Sequence, residues 1–132
     1  MTPALFLAAA AASAPLSCPL TLPRETVAVR APPQWHGYVP PDIIRLTGFG
    51  LLGGAPETLS YLAPTASTRS TVARSTITWR LDADTPRWLY CTYDDSAAIQ
   101  IARPLPSGGT VCTIAYRKTR QDGITDMAAS CR

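Results

Sequence analysis

Four cysteines and a single histidine hold most of the chemistry open to this chain: Cys18, Cys91, Cys112, Cys131 and His36. The cysteines show no Cys-x-x-Cys spacing, and one histidine cannot complete a mixed zinc site, so the thiols point to disulfides rather than to a metal. His36 is the only imidazole that a Ser-His-Asp or Cys-His mechanism could use as its base. No Gly-x-Ser-x-Gly elbow offers it a nucleophile, and two disulfides would leave no thiolate. No catalytic residue is assigned on this pattern; a small hydrolase using His36 stands as the alternative reading.

Other strings imitate chemistry and fail on context. Gly48-Phe49-Gly50-Leu51-Leu52-Gly53 has the spacing of a dinucleotide fingerprint, but Pro56 follows and the Ser/Thr-rich stretch beyond carries no acid for a ribose. Its glycines read as bulges or a closely packed strand, and no cofactor is assigned. Asp82 and Asp84 open like a calcium loop without the later ligands or the closing glutamate, so no metal is assigned either. Asp94-Asp95 falls at a hairpin tip, where carboxylates meet water.

The one positive hint is Trp35-His36-Gly37-Tyr38, framed by Pro32-Pro33 and Pro40-Pro41. Aromatic side chains on a proline-stiffened loop lose little entropy when a partner docks, which makes Trp35, His36 and Tyr38 the candidate partner-binding residues. The competing expectation, favoured on general grounds, is that Trp35 and Tyr38 cap one end of a sheet core, because buried aromatics are commoner than exposed anchors.

An apolar leader precedes the first cysteine. Leu5-Phe6-Leu7 and Ala8 to Ala12 have signal-peptide length, short of the roughly 20 residues a membrane helix needs. The expected division is a signal peptide over residues 1–17 and one β-rich domain over 18–132. No Lys or Arg precedes Arg24, which a start site further upstream would explain. Pro15 disfavours cleavage after Ala14, whereas cleavage after Ala12 avoids it. A lipid anchor at Cys18 is disfavoured, because Leu16 sits two places before the cysteine rather than three and lipidation would strand an odd thiol. Export and an even cysteine count together imply an oxidising compartment outside the cytosol. The net charge of +3 is scattered arginine with one lysine, Lys118. No face or run concentrates it, so nucleic acid is not an expected partner.

Thirteen prolines and eight glycines cut the chain into short, strand-like pieces. Pro56 to Leu62 is the one helical prospect, with Pro56 at the first helical position and Pro64 beyond its end. Cys18 to Arg30 reads as one or two edge strands, Ile43 to Leu52 as a strand, and Pro64 to Ser75 as a loop. Ser75 to Leu81 alternates Ile77, Trp79 and Leu81 against polar neighbours, the period of a half-buried strand. Trp88 to Tyr93, Ile99 to Arg103, Thr110 to Arg117 and Thr125 to Cys131 follow, separated by turn sequences. The expected fold is mainly β: a small antiparallel meander sheet, or a sandwich or partial barrel, with one short helix and two disulfides.

Register arithmetic bears on the pairing. A hairpin closing at Gln121-Asp122 sets position 112 opposite 131, and opposed residues come close enough to be bridged. Elimination then leaves Cys18 with Cys91. Four cysteines allow three connectivities, and a bulge would shift this register, so the other two stay open.

Several motifs together resemble an uncharacterised family of small exported proteins of Gram-negative bacteria: Cys18-Pro19, Gly54-Ala55-Pro56-Glu57, Leu62-Ala63-Pro64, Thr78-Trp79-Arg80-Leu81, Cys91-Thr92-Tyr93, Ala102-Arg103-Pro104-Leu105-Pro106, Cys112 and Cys131. The resemblance implies a periplasmic domain and carries over no functional residue. A looser likeness in size, bridges and β character is to periplasmic lysozyme inhibitors, by analogy alone. The expected role is a protein-binding module that captures an envelope-acting protein or enzyme, as an inhibitor or immunity partner would. A structural envelope component is the third reading.

Overall fold

The architecture follows from short, alternating strands that cannot bury an apolar face alone and must pack in two layers. A computed structural model of the chain describes residues 16–69, 74–120 and 123–132. Eight strands run in order: β1 (Thr21–Leu22), β2 (Ile44–Leu52), β3 (Ala66–Thr68), β4 (Ser75–Arg80), β5 (Trp88–Tyr93), β6 (Ile99–Pro104), β7 (Val111–Thr119) and β8 (Gly123–Cys131). They form two antiparallel four-stranded sheets, ordered β1-β2-β5-β6 and β3-β4-β7-β8. Among the described residues no helix is long and apolar enough to cross a membrane.

Period-two alternation decides what each strand buries. From the first sheet Leu46, Leu51, Leu89, Cys91 and Tyr93 face inward; from the second, Trp79, Cys112, Ile114, Met127 and Ala129 meet them in one apolar core. The glycine-rich string lies within β2, as the close-packing reading expects. Gly48 opposes Thr92 and Gly50 opposes Tyr90. A Cβ on Gly50 would stand 2.5 Å from the Tyr90 hydroxyl oxygen, so the tyrosine ring lies over bare backbone. An irregularity between Leu46 and Gly48 changes the phase of β2, and Leu46 and Phe49 thereby both oppose inward-facing residues of β5, Tyr93 and Cys91.

The sandwich replaces the continuous meander. Tyr93 pairs with Ile99 and Cys91 with Ile101, as simple hairpin counting expects, but β7 does not continue that sheet. After β6 the chain crosses to the other layer through Pro104-Leu105-Pro106 and Gly108, which has φ +102°. Leu105 is buried and its N–H donates to the Arg87 carbonyl, the last bond in register with the Trp88–Pro104 pair, and Pro106 has no N–H to carry the ladder further, so the chain leaves the sheet there. Cys112 and Ile114 consequently enter the shared core from the sheet opposite Cys91 and Leu89.

Three local expectations change as well. The helical prospect shrinks to a 3-10 turn, Pro56–Thr58, because Leu59 enters the left-handed region at φ 51°. Of residues 18–30 only Thr21–Leu22 are strand, followed by a 3-10 turn at Arg24–Thr26 after Pro23. The Pro64 to Ser75 stretch contributes β3, whose Ser67 pairs with Ile77. Residues 70–73 of that stretch, the Gln121-Asp122 turn and most of the leader lie outside the described residues.

Two disulfides brace the layers. Cys18 joins Cys91 with Cα atoms 5.8 Å apart, and Cys112 joins Cys131 at 4.0 Å across the β7–β8 ladder. The second register has an unexpected origin. Next to the turn, Thr119 pairs with Gly123 and Lys118 with Ile124, a phase that would set Cys112 opposite Ser130; a bulge between Arg117 and Lys118 moves the register by one and brings Cys131 into place. The bulge, which looked like a threat to this bridge, is what aligns it.

Candidate functional site

The segment between β1 and β2 stands apart from the ladders and is shaped by its own chemistry. Pro32 accepts a hydrogen bond from the Trp35 N–H at 3.1 Å, with Pro33 and Gln34 between them and Gln34 at φ 74°. Proline followed by a positive-φ residue is the pattern of a type II turn. Three residues on, Gly37 packs directly against Val29. A Cβ on Gly37 would lie 2.3 Å from the Val29 carbonyl oxygen, so glycine alone allows the two arms of the loop to touch.

This turn and this close approach carry the aromatic pair outward. Trp35 is 77% and Tyr38 71% exposed, with Ile43 (66%) and Val29 (51%) beside them. The expected capping of the core by Trp35 and Tyr38 is therefore corrected: the two proline pairs and the Gln34 turn lead the chain away from the sheets. The His36 and Tyr38 rings stack, with centroids 6.5 Å apart and planes 16° off parallel. Among the described residues no hydroxyl or carboxylate bonds the His36 imidazole.

Tyr38 divides two surface depressions. One, of about 340 Å³, is shared with Trp35, His36 and Arg30. The other, about 490 Å³, runs from the loop to the β5–β6 turn and is walled by Val27, Tyr38, Ile43 and Ile99, with Asp42 and Asp94 as its charged groups. Asp94, expected to be a solvated hairpin tip, holds that turn at φ 70° and accepts a hydrogen bond from the Asp95 N–H at 2.8 Å. Thr47, the odd residue of β2, donates its hydroxyl to the Asp94 carbonyl at 2.9 Å and ties the groove wall to the sheet.

The remaining chemistry is structural. All four cysteines are in disulfides, so no thiol is free. Among the described residues no group of three His, Cys, Asp or Glu side chains could hold a metal ion. Asp82 and Asp84 belong to a loop wrapped around Arg87, which sequence patterns passed over. That guanidinium is 2% exposed and donates to the carbonyls of Asp82, Thr85 and Gly109. A buried cation held by backbone carbonyls joins the β4–β5 and β6–β7 connections. On the outer face of the first sheet, Tyr61 packs edge-on against Tyr90 at 5.2 Å and donates to Gln100 at 3.2 Å. Burial, with Tyr61 beside it, raises the pKa of the Tyr90 phenol.

Two packed antiparallel sheets, two disulfides and an aromatic loop exposed at one end define a small disulfide-braced β-sandwich. The model of the Type VI secretion system Tli immunity protein family matches residues 40–132, and the chain belongs to that family. No curated protein and no solved structure matches the chain. The matched stretch contains every motif behind the sequence resemblance except Cys18-Pro19. It spans β2 to β8 and the Ile43 side of the groove, while Trp35, His36 and Tyr38 precede it.

Proposed function

We propose that this protein is an immunity protein of the periplasm that neutralises a Type VI secretion effector by binding it. Family membership supports the class of partner, a protein toxin. The two disulfides support the compartment, since such bridges persist where the cytosolic reductants do not reach. Within the molecule, Trp35, His36 and Tyr38 are the docking residues, and the groove beside Tyr38 receives a segment of the effector.

One observation carries the choice of surface: Trp35 and Tyr38 stand in water on a loop already locked by the Gln34 turn and the Gly37–Val29 contact. Large apolar groups held rigid and exposed cost stability unless something covers them, and rigid aromatics are the commonest anchors of interfaces. Aliphatic walls with Asp42 and Asp94 fit an effector segment that carries both apolar and basic side chains. The test is capture from periplasmic extract with the oxidised domain, wild type against Trp35→Ala/Tyr38→Ala. The wild type retains the effector and protects cells against it; the double variant, equally folded, does neither. Retention by both would place the interface elsewhere.

A further inference from the structure

Arg87 is a buried cation whose partners are all neutral. Its guanidinium donates to the backbone carbonyls of Asp82, Ala83, Thr85 and Gly109, and among the described residues no carboxylate pairs with it. A charge removed from water without a counter-ion is costly, so an anion formed beside it is stabilised. The neighbouring disulfide can supply that anion. Arg87 Nη1 stands 3.8 Å from Cys112 Sγ, in a site where the two residues are 2% and 1% exposed. If the Cys112–Cys131 bond parts so that Cys112 keeps the electron pair, a thiolate appears next to the guanidinium. Access selects the other sulfur for attack. Cys18, Cys91 and Cys112 are buried, whereas Cys131 lies only partly buried on the edge strand β8. Among the described residues no cationic side chain hydrogen-bonds the sulfurs of Cys18 and Cys91.

We propose that Cys112–Cys131 is a thiol–disulfide exchange site for dithiols, in which Cys131 is the attacked sulfur, Cys112 the leaving sulfur and Arg87 the cation that receives the departing charge. The first thiolate of the dithiol bonds to Cys131 Sγ as the Cys112–Cys131 bond breaks, and the electron pair of that bond stays on Cys112. The second thiol of the dithiol gives its proton to solvent, closes on the first sulfur and expels Cys131 as a thiolate, which takes up a proton. Two electrons thus pass to the protein, and the dithiol departs as a disulfide. Because Arg87 favours the reduced form, this bridge is more readily reduced than Cys18–Cys91. The fold outlasts the opening: Val111 and Arg132 exchange two backbone hydrogen bonds just beyond the bridge, and β7 and β8 stay paired from Thr113 to Gly123. The site is independent of effector binding at the loop.

The oxidised protein, kept under native conditions, tests this with dithiothreitol, an N-ethylmaleimide quench and peptide mass spectrometry. The expected first product is folded, alkylated on Cys112 and Cys131, and retains Cys18–Cys91; opening of Cys18–Cys91 first, or of both bridges together, overturns the proposal. Brief exposure to glutathione identifies the attacked sulfur: an adduct on Cys131 is expected, and one on Cys112 contradicts the assignment. The role of Arg87 is read from Arg87→Met, whose exchange equilibrium with dithiothreitol is expected to shift about tenfold towards the disulfide. Loss of stability alone would move it the opposite way, and an unchanged equilibrium overturns the role. Reduced wild type, which requires no variant to fold, is expected to show the ultraviolet absorbance of a thiolate at neutral pH; absence of that band equally overturns it.

Discussion

Gly37 touches the Val29 carbonyl so closely that a methyl group in place of its hydrogen would sit 2.3 Å from that oxygen. Because this contact closes the loop that presents Trp35 and Tyr38, it links one backbone position to the proposed recognition surface. Gly37→Ala forces the two arms apart without touching the core. The melting temperature is expected to hold, while affinity for the effector falls about tenfold, near 1.4 kcal/mol, as the preorganised loop loosens. Titration calorimetry with the effector, beside a thermal melt, measures both.

Arg87 makes the opposite prediction. Arg87→Met keeps the apolar stem but leaves the Asp82, Thr85 and Gly109 carbonyls without their charged donor, in a site that is 2% exposed. A loss of at least about 1.5–3 kcal/mol is expected from denaturant unfolding. Effector affinity under native conditions is expected to stay unchanged, since these groups lie apart from the groove.

The sequence discloses these two sites unequally, for physical reasons. Ser75 to Leu81 and Trp88 to Tyr93 were legible as strands because their alternation encodes one buried face, and that is a local property. Which sheet a strand joins is not local: Pro104 to Gly109 looks like any hairpin turn, and only the pairing of β7 with β4 and β8 instead of β6 shows it to be a crossing. Arg87 itself was invisible, since its acceptors lie up to 22 residues away in the chain. The pairing of Cys112 with Cys131 could be counted from the turn, although the bulge that makes the count come out right could not. Trp35 and Tyr38 were found as candidates by composition, yet their exposure depends on the Gln34 turn and the Val29 contact, neither of which a spacing rule reports.

The Tyr93 phenol gives a pH signature. Burial raises its pKa from 10.0 to about 12. In the unfolded chain the phenol ionises near its ordinary value, so the folded state keeps the full contribution of this group below pH 10 and loses it progressively as the pH rises towards 12. Stability measured rapidly across that window is expected to fall. In Tyr93→Phe this part of the decline disappears, at a cost of about 1 kcal/mol at neutral pH from leaving the Pro19 carbonyl unpaired.

The two bridges should differ in consequence. Cys18–Cys91 spans 73 residues and joins the N-terminal segment to the first sheet, whereas Cys112–Cys131 spans 19 and links strands already paired. Longer loops lose more entropy on closure, so Cys18→Ser/Cys91→Ser is expected to lower stability more than Cys112→Ser/Cys131→Ser, each within about 2–5 kcal/mol. Chemical denaturation of the two double variants decides the order.

In the proposed complex the effector docks on the exposed aromatic loop. The most direct test is the dissociation constant of the effector complex for wild type and for Trp35→Ala/Tyr38→Ala, with melting temperatures recorded in parallel. The double variant is expected to bind at least about thirtyfold more weakly, 2 kcal/mol or more, at an unchanged melting temperature. Equal affinity in two equally stable proteins would contradict it.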